Sequence, residues 1–339
     1  MAGSGRVEAS FLALHAFLDR EFGRAALAME PVAGGQSNPT FFVTHGHRRM
    51  VLRKKPGGDI LPGAHAVERE YRVLRALEQT DVPAPRAILL CEDISVVGTP
   101  FYLMERLDGR VFRTCSLDDA APAERRPLYF AMADAMARLH AVDPVAIGLG
   151  DYGKPGNYFA RQMARWTRQY EESPSARIPA LDRVIAWLRA NQPQDDGRIA
   201  IAHGDFRLGN MLFHPTRPEV IAVLDWELST LGHPLADLGF CCIPWHTEPR
   251  EYGGIAGLDH VARALPSQQE FVVRYYASAA ATPQLTRFHI DFALFRFSVI
   301  FVGIADRAKA GNATSAEAER AGPLAKRFAI RAEEVLSRA

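Results

Sequence analysis

The sequence contains few cysteines, no excess of either charge and no long hydrophobic run. Its 339 residues include four cysteines, and no two of them have the C-x-x-C spacing of common zinc and redox sites. The cysteines are Cys91, Cys115, Cys241 and Cys242. A disulfide-stapled secreted domain is therefore excluded, and we expect these residues to be small core side chains in a reducing compartment.

The charge balance excludes a second class of protein. Lys and Arg number 40 and Asp and Glu 39, so the formal net charge at pH 7 is +1. A general nucleic-acid binder neutralises phosphates and should carry a basic excess, so no nucleic-acid partner is predicted. The N-terminal segment MAGSGRVEAS has no apolar core, and the longest nonpolar stretch, residues 297–305, is too short to span a bilayer. We therefore expect a soluble cytoplasmic protein with no membrane partner.

Length and periodicity together predict two lobes. Chains longer than about 250 to 300 residues usually divide their hydrophobic core. Two helical patterns and four strand candidates occupy the first part of the chain: helices at 7–22 and 66–79, strands at 40–44, 50–53, 87–91 and 101–105. Beyond Gly109 the pattern is mostly helical, with short strand candidates at 199–202, 211–213 and 220–224. The predicted fold is α+β, with a small β-rich lobe at 1–107 and a larger helical lobe at 108–339.

The strongest chemical signal is HGDFRLGN, residues 203–210, followed by VLDWE, residues 223–227. The first segment follows a buried-strand sequence and carries Asp205, a proton acceptor, and Asn210, a neutral amide oxygen. Asp225 adds an anionic oxygen after a further strand. A carboxylate that receives a hydroxyl proton, beside oxygens that bind a hard cation, is what phosphoryl transfer to an alcohol uses. Asp and Asn beside glycine often only cap turns, but this ordered combination favours catalysis.

These motifs give the sequence a recognisable relationship. The order H-x-D-x-x-x-x-N, then a hairpin and an apolar-Asp segment, resembles the aminoglycoside phosphotransferase family of protein-kinase-like small-molecule kinases, and the resemblance runs through nearly the whole chain. In that family the loop Asp orients or deprotonates the acceptor hydroxyl, and the Asn and second Asp bind magnesium. The resemblance implies these roles for Asp205, Asn210 and Asp225. It also implies a bilobal protein-kinase-like fold and the use of ATP and Mg²⁺.

The same resemblance implies a nucleotide site in the first lobe. The segment GGQSN, residues 34–38, stands where the family has its phosphate-covering turn, which makes Gly35, Ser37 and Asn38 candidate contacts to phosphate. The segment YLMERL, residues 102–107, resembles the inter-lobe hinge whose backbone groups bind adenine, so Glu105 and Leu107 are candidate adenine contacts.

The cation that contacts the ATP phosphates is left open between two residues. Alternation along VLRKK places Arg53 and Lys55 on one face of the strand and Lys54 on the other. Arg53 stands where the family has its lysine and is our first choice, with Lys55 one strand repeat farther along. The resemblance pairs this cation with a helix glutamate, for which we favour Glu70 over Glu68.

Other candidates support the catalytic loop or contact the substrate. The resemblance implies that His203 supports the loop and that Asp237, in HPLADLG, braces it from the following helix. Glu227 is a candidate contact to metal or substrate. Arg207 is a candidate catalytic residue that stabilises transition-state charge or captures an anionic substrate. Arg296 interrupts an apolar helical run and is either paired internally or placed to meet a substrate anion.

The acceptor is predicted to be a small molecule with a hydroxyl group. Residues after 107 carry 27 basic and 27 acidic side chains, without the acid excess that an aminoglycoside polycation would favour. The segments YFARQMARWTRQY and WELSTLGHPLADLG most resemble the kinase-like domain fused to some acyl-CoA dehydrogenases, which implies a hydroxy acid or hydroxyacyl-CoA. The alternatives are an antibiotic phosphotransferase and a nucleotide-binding pseudokinase, and the sequence does not indicate an oligomeric state.

Overall fold

A computed structural model describes residues 2–32, 38–57, 66–154, 156–279, 283–309 and 315–337. The strands are β1 Leu27–Pro31, β2 Thr40–His45, β3 Arg48–Lys54, β4 Ala87–Cys91, β5 Phe101–Glu105, β6 Ala200–Ala202, β7 Met211–Phe213, β8 Val220–Val223 and β9 Thr230–Gly232. The helices are α1 Ala2–Phe22, α2 Val67–Leu77, α3 Ile94–Val97, α4 Pro122–Ala141, α5 Tyr158–Glu171, α6 Pro179–Ala190, α7 Pro234–Cys241, α8 Gln268–Ser278, α9 Arg287–Lys309 and α10 Ser315–Ser337.

Two compact units account for these elements. The first contains residues 1–109 together with 221–227, and the second contains 110–220 and 228–339. Residues 221–227, which the sequence predicts to lie in the second lobe, group with the first unit, although β8 also pairs with β7. The α+β prediction is confirmed, because a small antiparallel sheet is accompanied by a mostly helical remainder.

The first unit is built on a five-stranded antiparallel sheet with the order β1-β2-β3-β5-β4. One face packs on α1, where Leu14 and Leu18 join Leu52 and Leu103 in a single apolar cluster. Because side chains alternate along a strand, the neighbours of Leu52 and Leu103 in β3 and β5 point to the opposite face of the sheet. That face meets α2, which is how the sheet presents Arg53 to a helix.

Two strands were not predicted. β1 has the sequence LAMEP, without a β-branched residue and with a proline at its end, so its composition gives no strand signal. It is an edge strand that pairs only with β2 among the described strands, which is where a proline is tolerated. β9 is a short strand that pairs with β6, and β6 is the strand that comes just before the predicted catalytic loop.

The second unit has α9 at its centre. This helix packs against α10, α7, α5 and α6. Among the described residues it is the one helix long and apolar enough to cross a membrane, and it extends well beyond the nonpolar stretch 297–305. However, 78% of the most apolar 18-residue stretch of α9 is buried inside the protein, so this helix has the composition of a core helix.

A carboxyl group buried in α9 predicts a pH-dependent stability. Asp291 is fully buried, and neither of its oxygens has a hydrogen-bond partner among the described residues. Burial raises its pKa to about 8, although Arg287 acts in the opposite direction. In the unfolded chain the pKa is about 3.9, so between about pH 4 and pH 8 only the folded state holds the proton. The free energy of unfolding contributed by this site therefore falls as the pH rises through that range.

We expect Asp291→Asn to remove this dependence. Relative to the wild type, the variant should gain on the order of 2 to 4 kcal/mol of stability between pH 5 and pH 8, because the amide cannot ionise. Thermal unfolding of both proteins at the two pH values measures the difference. A melting-temperature gap that stays constant with pH would contradict an abnormally high pKa at this position.

Candidate active site

In the first unit, Arg53 lies at the centre of a group of carboxylates. Its Nε is 2.9 Å from Glu70 Oε2, and its Nη2 is 2.6 Å from Asp225 Oδ1 and 3.3 Å from Glu227 Oε2. The arrangement follows from strand alternation, since Arg53 is opposite Tyr102 in the register of β3 and β5, on the face that meets α2. One cation thus contacts three acidic side chains.

Glu70 is held by neutral donors as well as by Arg53. It is 1% exposed, and its two oxygens accept hydrogen bonds from Asn38 Nδ2 at 2.7 Å and from the Tyr102 hydroxyl at 3.0 Å. Burial raises the pKa of Glu70 to about 7, while Arg53 and Tyr102 favour the ionised form. Burial also acts to lower the pKa of Arg53, but the surrounding carboxylates outweigh it and the arginine stays charged. Glu70 is therefore a fixed partner that orients Arg53.

Asp225 adopts an unusual backbone conformation. Its φ is 66°, in the left-handed region that non-glycine residues rarely occupy. Such strain is concentrated at functional sites, where neighbouring structure holds the residue in place. Here the strained turn follows β8 and brings the Asp225 carboxylate to Arg53, with 32% of the side chain exposed.

The competing lysines have other partners. Lys55 Nζ pairs with Glu68, the glutamate that the sequence analysis ranked second, and Lys54 Nζ donates to the carbonyl of Val97. Lys54 is therefore held by a backbone carbonyl at the end of β3. The structure brings Arg53 together with Glu70, Asp225 and Glu227, and does not bring Lys55 to that group.

The remaining nucleotide candidates are placed unevenly. Gly35 and Ser37 lie outside the described residues. Asn38, predicted as a phosphate contact, is buried, and its amide donates a hydrogen bond to Glu70. The sequence did not predict this bond. At the predicted hinge, the Glu105 N-H donates to the carbonyl of Arg86. Leu107 lies in the irregular segment that follows, and its backbone bonds no other described backbone group.

In the second unit, the residues of the predicted catalytic loop are joined by hydrogen bonds. Asn210 Nδ2 donates to the backbone carbonyl of Asp205 at 2.9 Å and to its Oδ2 at 2.7 Å. Arg207 Nε donates to the same Oδ2 at 3.1 Å. Because both of these donors bond Oδ2, Oδ1 is the oxygen available to receive a hydroxyl proton. Because the Asn210 nitrogen makes both of its bonds to Asp205, the amide oxygen is the atom left for a cation.

A buried carboxylate fixes the backbone of this loop. Asp237 in α7 accepts hydrogen bonds from the N-H groups of His203 at 2.6 Å and Gly204 at 2.9 Å. Although burial acts to raise it, the pKa of Asp237 is lowered by His140 and by these contacts, so the group stays ionised. His203 Nδ1 in turn accepts from the Asp205 N-H. Gly204 has φ +83°, and a Cβ there would lie 2.7 Å from the Leu228 carbonyl, so the turn requires glycine.

Arg296 lies behind the same loop. Its Nη2 donates to the carbonyl of Gly204 at 2.9 Å, and its guanidinium lies over the Trp166 ring. The sequence leaves internal pairing and a substrate anion as alternatives for this residue, and the contact present in the structure is to a backbone carbonyl. Arg296 thereby positions the loop that carries Asp205.

We expect Arg296→Met to slow turnover without weakening substrate binding. Loss of the Gly204 contact lets the loop shift, and a displacement on the order of 1 Å can cost up to about a hundredfold in rate. Steady-state ADP release should show kcat reduced by about tenfold to a hundredfold with KM values nearly unchanged, and Arg296→Lys should recover part of the loss. An increase in the KM of an anionic acceptor at constant kcat would instead place Arg296 in the substrate site.

A cavity opens beside the catalytic loop within the second unit. Its wall is mostly apolar, and two arginines, Arg113 and Arg207, line it as well. The apolar and weakly polar lining residues include Cys115, Tyr129, Met132, Phe206, Phe240 and Phe297. Among the described residues that line it there is no carboxylate. The cavity suits an acceptor with an apolar portion and a negative charge.

Several residues of the site were not found from the sequence. Tyr102 lies inside the predicted hinge strand, but nothing in its sequence context indicates that its hydroxyl reaches Glu70. His140, which contacts Asp237 at 3.4 Å, belongs to a helix with no motif of its own. Arg113 follows a strand bridge rather than a recognisable pattern. Their partners are distant in sequence, so only the fold brings them together.

Comparison with known proteins identifies the family. The model of the phosphotransferase enzyme family, APH, matches residues 28–270, which include Arg53, Glu70, Asp205, Asn210 and Asp225. The chain belongs to this family. The predicted resemblance to this family is thus confirmed. Its second part is confirmed as well, because curated relatives are named as an acyl-CoA dehydrogenase family member and as a probable acyl-CoA dehydrogenase.

One such relative is acyl-CoA dehydrogenase family member 10 of Mus musculus, 41% identical over 299 residues that cover 87% of this chain and 28% of that protein. The chain spans well under half the length of this relative. A crystal structure from Ralstonia eutropha JMP134, provisionally assigned as an aminoglycoside phosphotransferase, is 45% identical with a TM-score of 0.87 and covers 96% of this chain and 97% of that one.

A more distant structure extends the likeness of fold. Ethanolamine kinase from Plasmodium vivax is 14% identical with a TM-score of 0.61, covering 96% of this chain and 87% of that one. At this identity the match concerns the fold alone. The predicted protein-kinase-like fold is confirmed.

Proposed function

We propose that this protein transfers the γ-phosphate of Mg-ATP to the hydroxyl of a small anionic molecule, a hydroxy acid or hydroxyacyl-CoA, in the cytoplasm. Residues 1–107 would bind the nucleotide together with Asn210 and Asp225, and the rest of 108–339 would bind the acceptor. The observation that carries the proposal is the Asp205 carboxylate, held through Oδ2 by Asn210 and Arg207 beside an apolar cavity with a second arginine.

Two of the predicted metal ligands carry the donor atoms that magnesium prefers. Mg²⁺ prefers oxygen ligands and uses one or two carboxylates beside phosphates and waters. The Asn210 amide oxygen and the Asp225 carboxylate are ligands of that kind. When bound, the ion would neutralise charge on the phosphates during transfer. Arg53, fixed by Glu70, would contact the phosphates, and the backbone of Leu107 would contact adenine.

The chain's own residues then account for the transfer. Asp205 Oδ1 accepts a hydrogen bond from the acceptor hydroxyl and receives its proton as the oxygen attacks phosphorus. Arg207 lies beside Asp205 and balances the negative charge that accumulates on the transferred group. Asp237 and Arg296 hold the backbone of the loop, so Asp205 does not have to reorganise during the reaction. Positioning and charge balance supply most of the catalysis in a largely dissociative transition state.

The cavity and the relatives support an acyl-bearing acceptor. Arg113 and Arg207 suit a carboxylate or phosphate on the substrate, whereas a polycationic aminoglycoside would favour a rim of acids. The relatives' names link this chain to proteins of acyl-CoA metabolism.

The proposal is tested by ADP release from Mg-ATP with a panel of acceptors. The panel contains hydroxy acids, their CoA thioesters, choline, homoserine and aminoglycosides. Release that depends on the hydroxy acids or thioesters supports the proposal, and release that depends only on an aminoglycoside supports the antibiotic alternative. Tight nucleotide binding without acceptor-dependent ADP from any compound would favour a pseudokinase.

A further inference from the structure

Tyr252 has a strained backbone beside the acceptor cavity. Its φ is 65°, an outlier for a bulky residue, and it is followed by Gly253 with φ 76°. The segment 248–254 is a compact turn in which the Gly253 N-H donates to the Pro249 carbonyl and the Gly254 N-H donates to the Glu248 carbonyl. Strain of this kind persists only where surrounding contacts impose it, and it is concentrated at functional sites.

An arginine from α10 anchors the residues that precede Tyr252. Arg331 Nη2 lies 2.7 Å from Glu248 Oε1, and Arg331 Nε lies 2.8 Å from Glu251 Oε2. Glu251, the residue immediately before Tyr252, is 2% exposed, and its carboxylate also accepts the Glu248 N-H. Glu248 and Glu251 are thus both bound by the guanidinium of Arg331. Paired hydrogen bonds from one arginine to carboxylates fix the geometry of the groups that they join.

The anchored tyrosine forms part of the cavity wall. Its ring makes edge contacts with Phe297 and Phe301 of α9, each with centroids 5.5 Å apart, and the side chain remains 50% exposed. Burial raises the pKa of the Tyr252 phenol. Arg207 lowers this pKa and Asp205 raises it, so the phenol lies close enough to both residues to feel their charges. The ring lines the cavity together with Cys115 and Arg207.

We propose that Tyr252 is a specificity-determining residue whose ring closes one side of the acceptor cavity and limits the length of the apolar chain that the cavity admits. The inference rests on the proposed function, since it requires that the acceptor bind in this cavity. Tyr252 is half exposed and lines the cavity, as expected of a side chain that covers the cavity from the solvent side. The strained turn and Arg331 fix where that cover stands.

The first test compares acceptors of increasing chain length. Wild type, Tyr252→Gly and Tyr252→Phe are assayed with a series of hydroxy acids and their CoA thioesters. Glycine removes the ring and suits the positive φ, so the variant should fold, whereas phenylalanine keeps the ring as the matched control. Tyr252→Gly should shift kcat/KM toward longer chains by roughly tenfold for each methylene newly accommodated, and Tyr252→Phe should keep the wild-type profile.

Arg331 provides a second variant that tests the anchor. Arg331→Lys keeps the positive charge but cannot bridge both carboxylates, so it should shift the profile in the same direction by a smaller factor. A chain-length profile in Tyr252→Gly that matches the wild type would overturn the inference.

A second test does not depend on activity. Cys115 and Cys241 both line this cavity, but Cys241 is buried and its thiol bonds the Phe206 carbonyl, whereas Cys115 is partly exposed. Modification of Cys115 by N-ethylmaleimide therefore reports access to the cavity. Burial raises the pKa of Cys115 to about 11, which makes the wild-type reaction slow. Mass spectrometry measures the rate at which Cys115 is labelled. Removal of the Tyr252 ring should increase this rate by roughly tenfold, and Tyr252→Phe should leave it unchanged.

The two tests separate the inference from the proposed function. Faster labelling in Tyr252→Gly in a protein that phosphorylates none of the acceptors would support the covering role and reject the proposed substrate class. Acceptor-dependent activity with an unchanged labelling rate and an unchanged chain-length profile would keep the function and overturn the role of Tyr252.

Discussion

Asp205→Asn is expected to abolish phosphate transfer while leaving nucleotide binding nearly intact. The amide has the size of the carboxylate and can still accept a hydrogen bond from Asn210, so the loop keeps its shape. It cannot receive the proton of the acceptor hydroxyl. Positioned bases contribute roughly 10² to 10⁴ in rate, and we expect kcat to fall by at least that range.

The measurement is steady-state ADP release with a productive acceptor, together with binding of a fluorescent ATP analogue. Asp119→Asn is the matched control, because Asp119 is an exposed residue of the second unit and should behave as wild type. Unchanged ADP release in Asp205→Asn would remove Asp205 from the role of base. Loss of nucleotide binding together with activity would show that the residue supports the nucleotide site instead.

Arg53→Met should have the second largest effect, on both stability and nucleotide affinity. The substitution leaves Glu70 buried without its ion-pair partner and leaves Asp225 and Glu227 without the cation between them. Breaking a buried pair by removing one partner costs about 3 to 5 kcal/mol. The phosphates would also lose their proposed contact, so KM for ATP should rise strongly in the fraction that remains folded.

Lys55→Met is the control that decides between the two cations. Lys55 pairs with Glu68, and both side chains are partly exposed, so we expect its loss to cost about 1 kcal/mol or less and to change KM for ATP little. Thermal unfolding and ATP-dependent kinetics of the two variants are compared directly. If Lys55→Met raised KM for ATP more than Arg53→Met, the phosphate contact would belong to Lys55.

Part of this site could be predicted because local periodicity determines it. Alternation along β3 puts Arg53 on one face and Lys54 on the other, whereas Glu70 was favoured from the resemblance to the family and is buried in α2. The catalytic loop could be predicted for a related reason. Asp205 and Asn210 lie five positions apart in one short segment, and their mutual hydrogen bonds are local.

The rest depends on contacts between distant segments. Arg296 meets the Gly204 carbonyl across 92 residues, and backbone carbonyls leave no trace in the sequence. The strained conformations of Asp225 and Tyr252 are imposed by partners elsewhere, so no turn composition announces them. β1 was missed because an edge strand that ends in proline has no distinctive pattern. Periodicity within one element is visible in a sequence, whereas the partner of a side chain is not.

The central claim is tested most directly by identifying the product. The wild-type enzyme is incubated with Mg-ATP and a hydroxy acid or its CoA thioester, and phosphorus NMR with mass spectrometry follows the fate of the γ-phosphate. We predict a phosphomonoester on the acceptor hydroxyl, formed together with ADP and absent with Asp205→Asn. ADP accompanied only by inorganic phosphate, with no phosphomonoester on any hydroxy acid or thioester, would contradict the account.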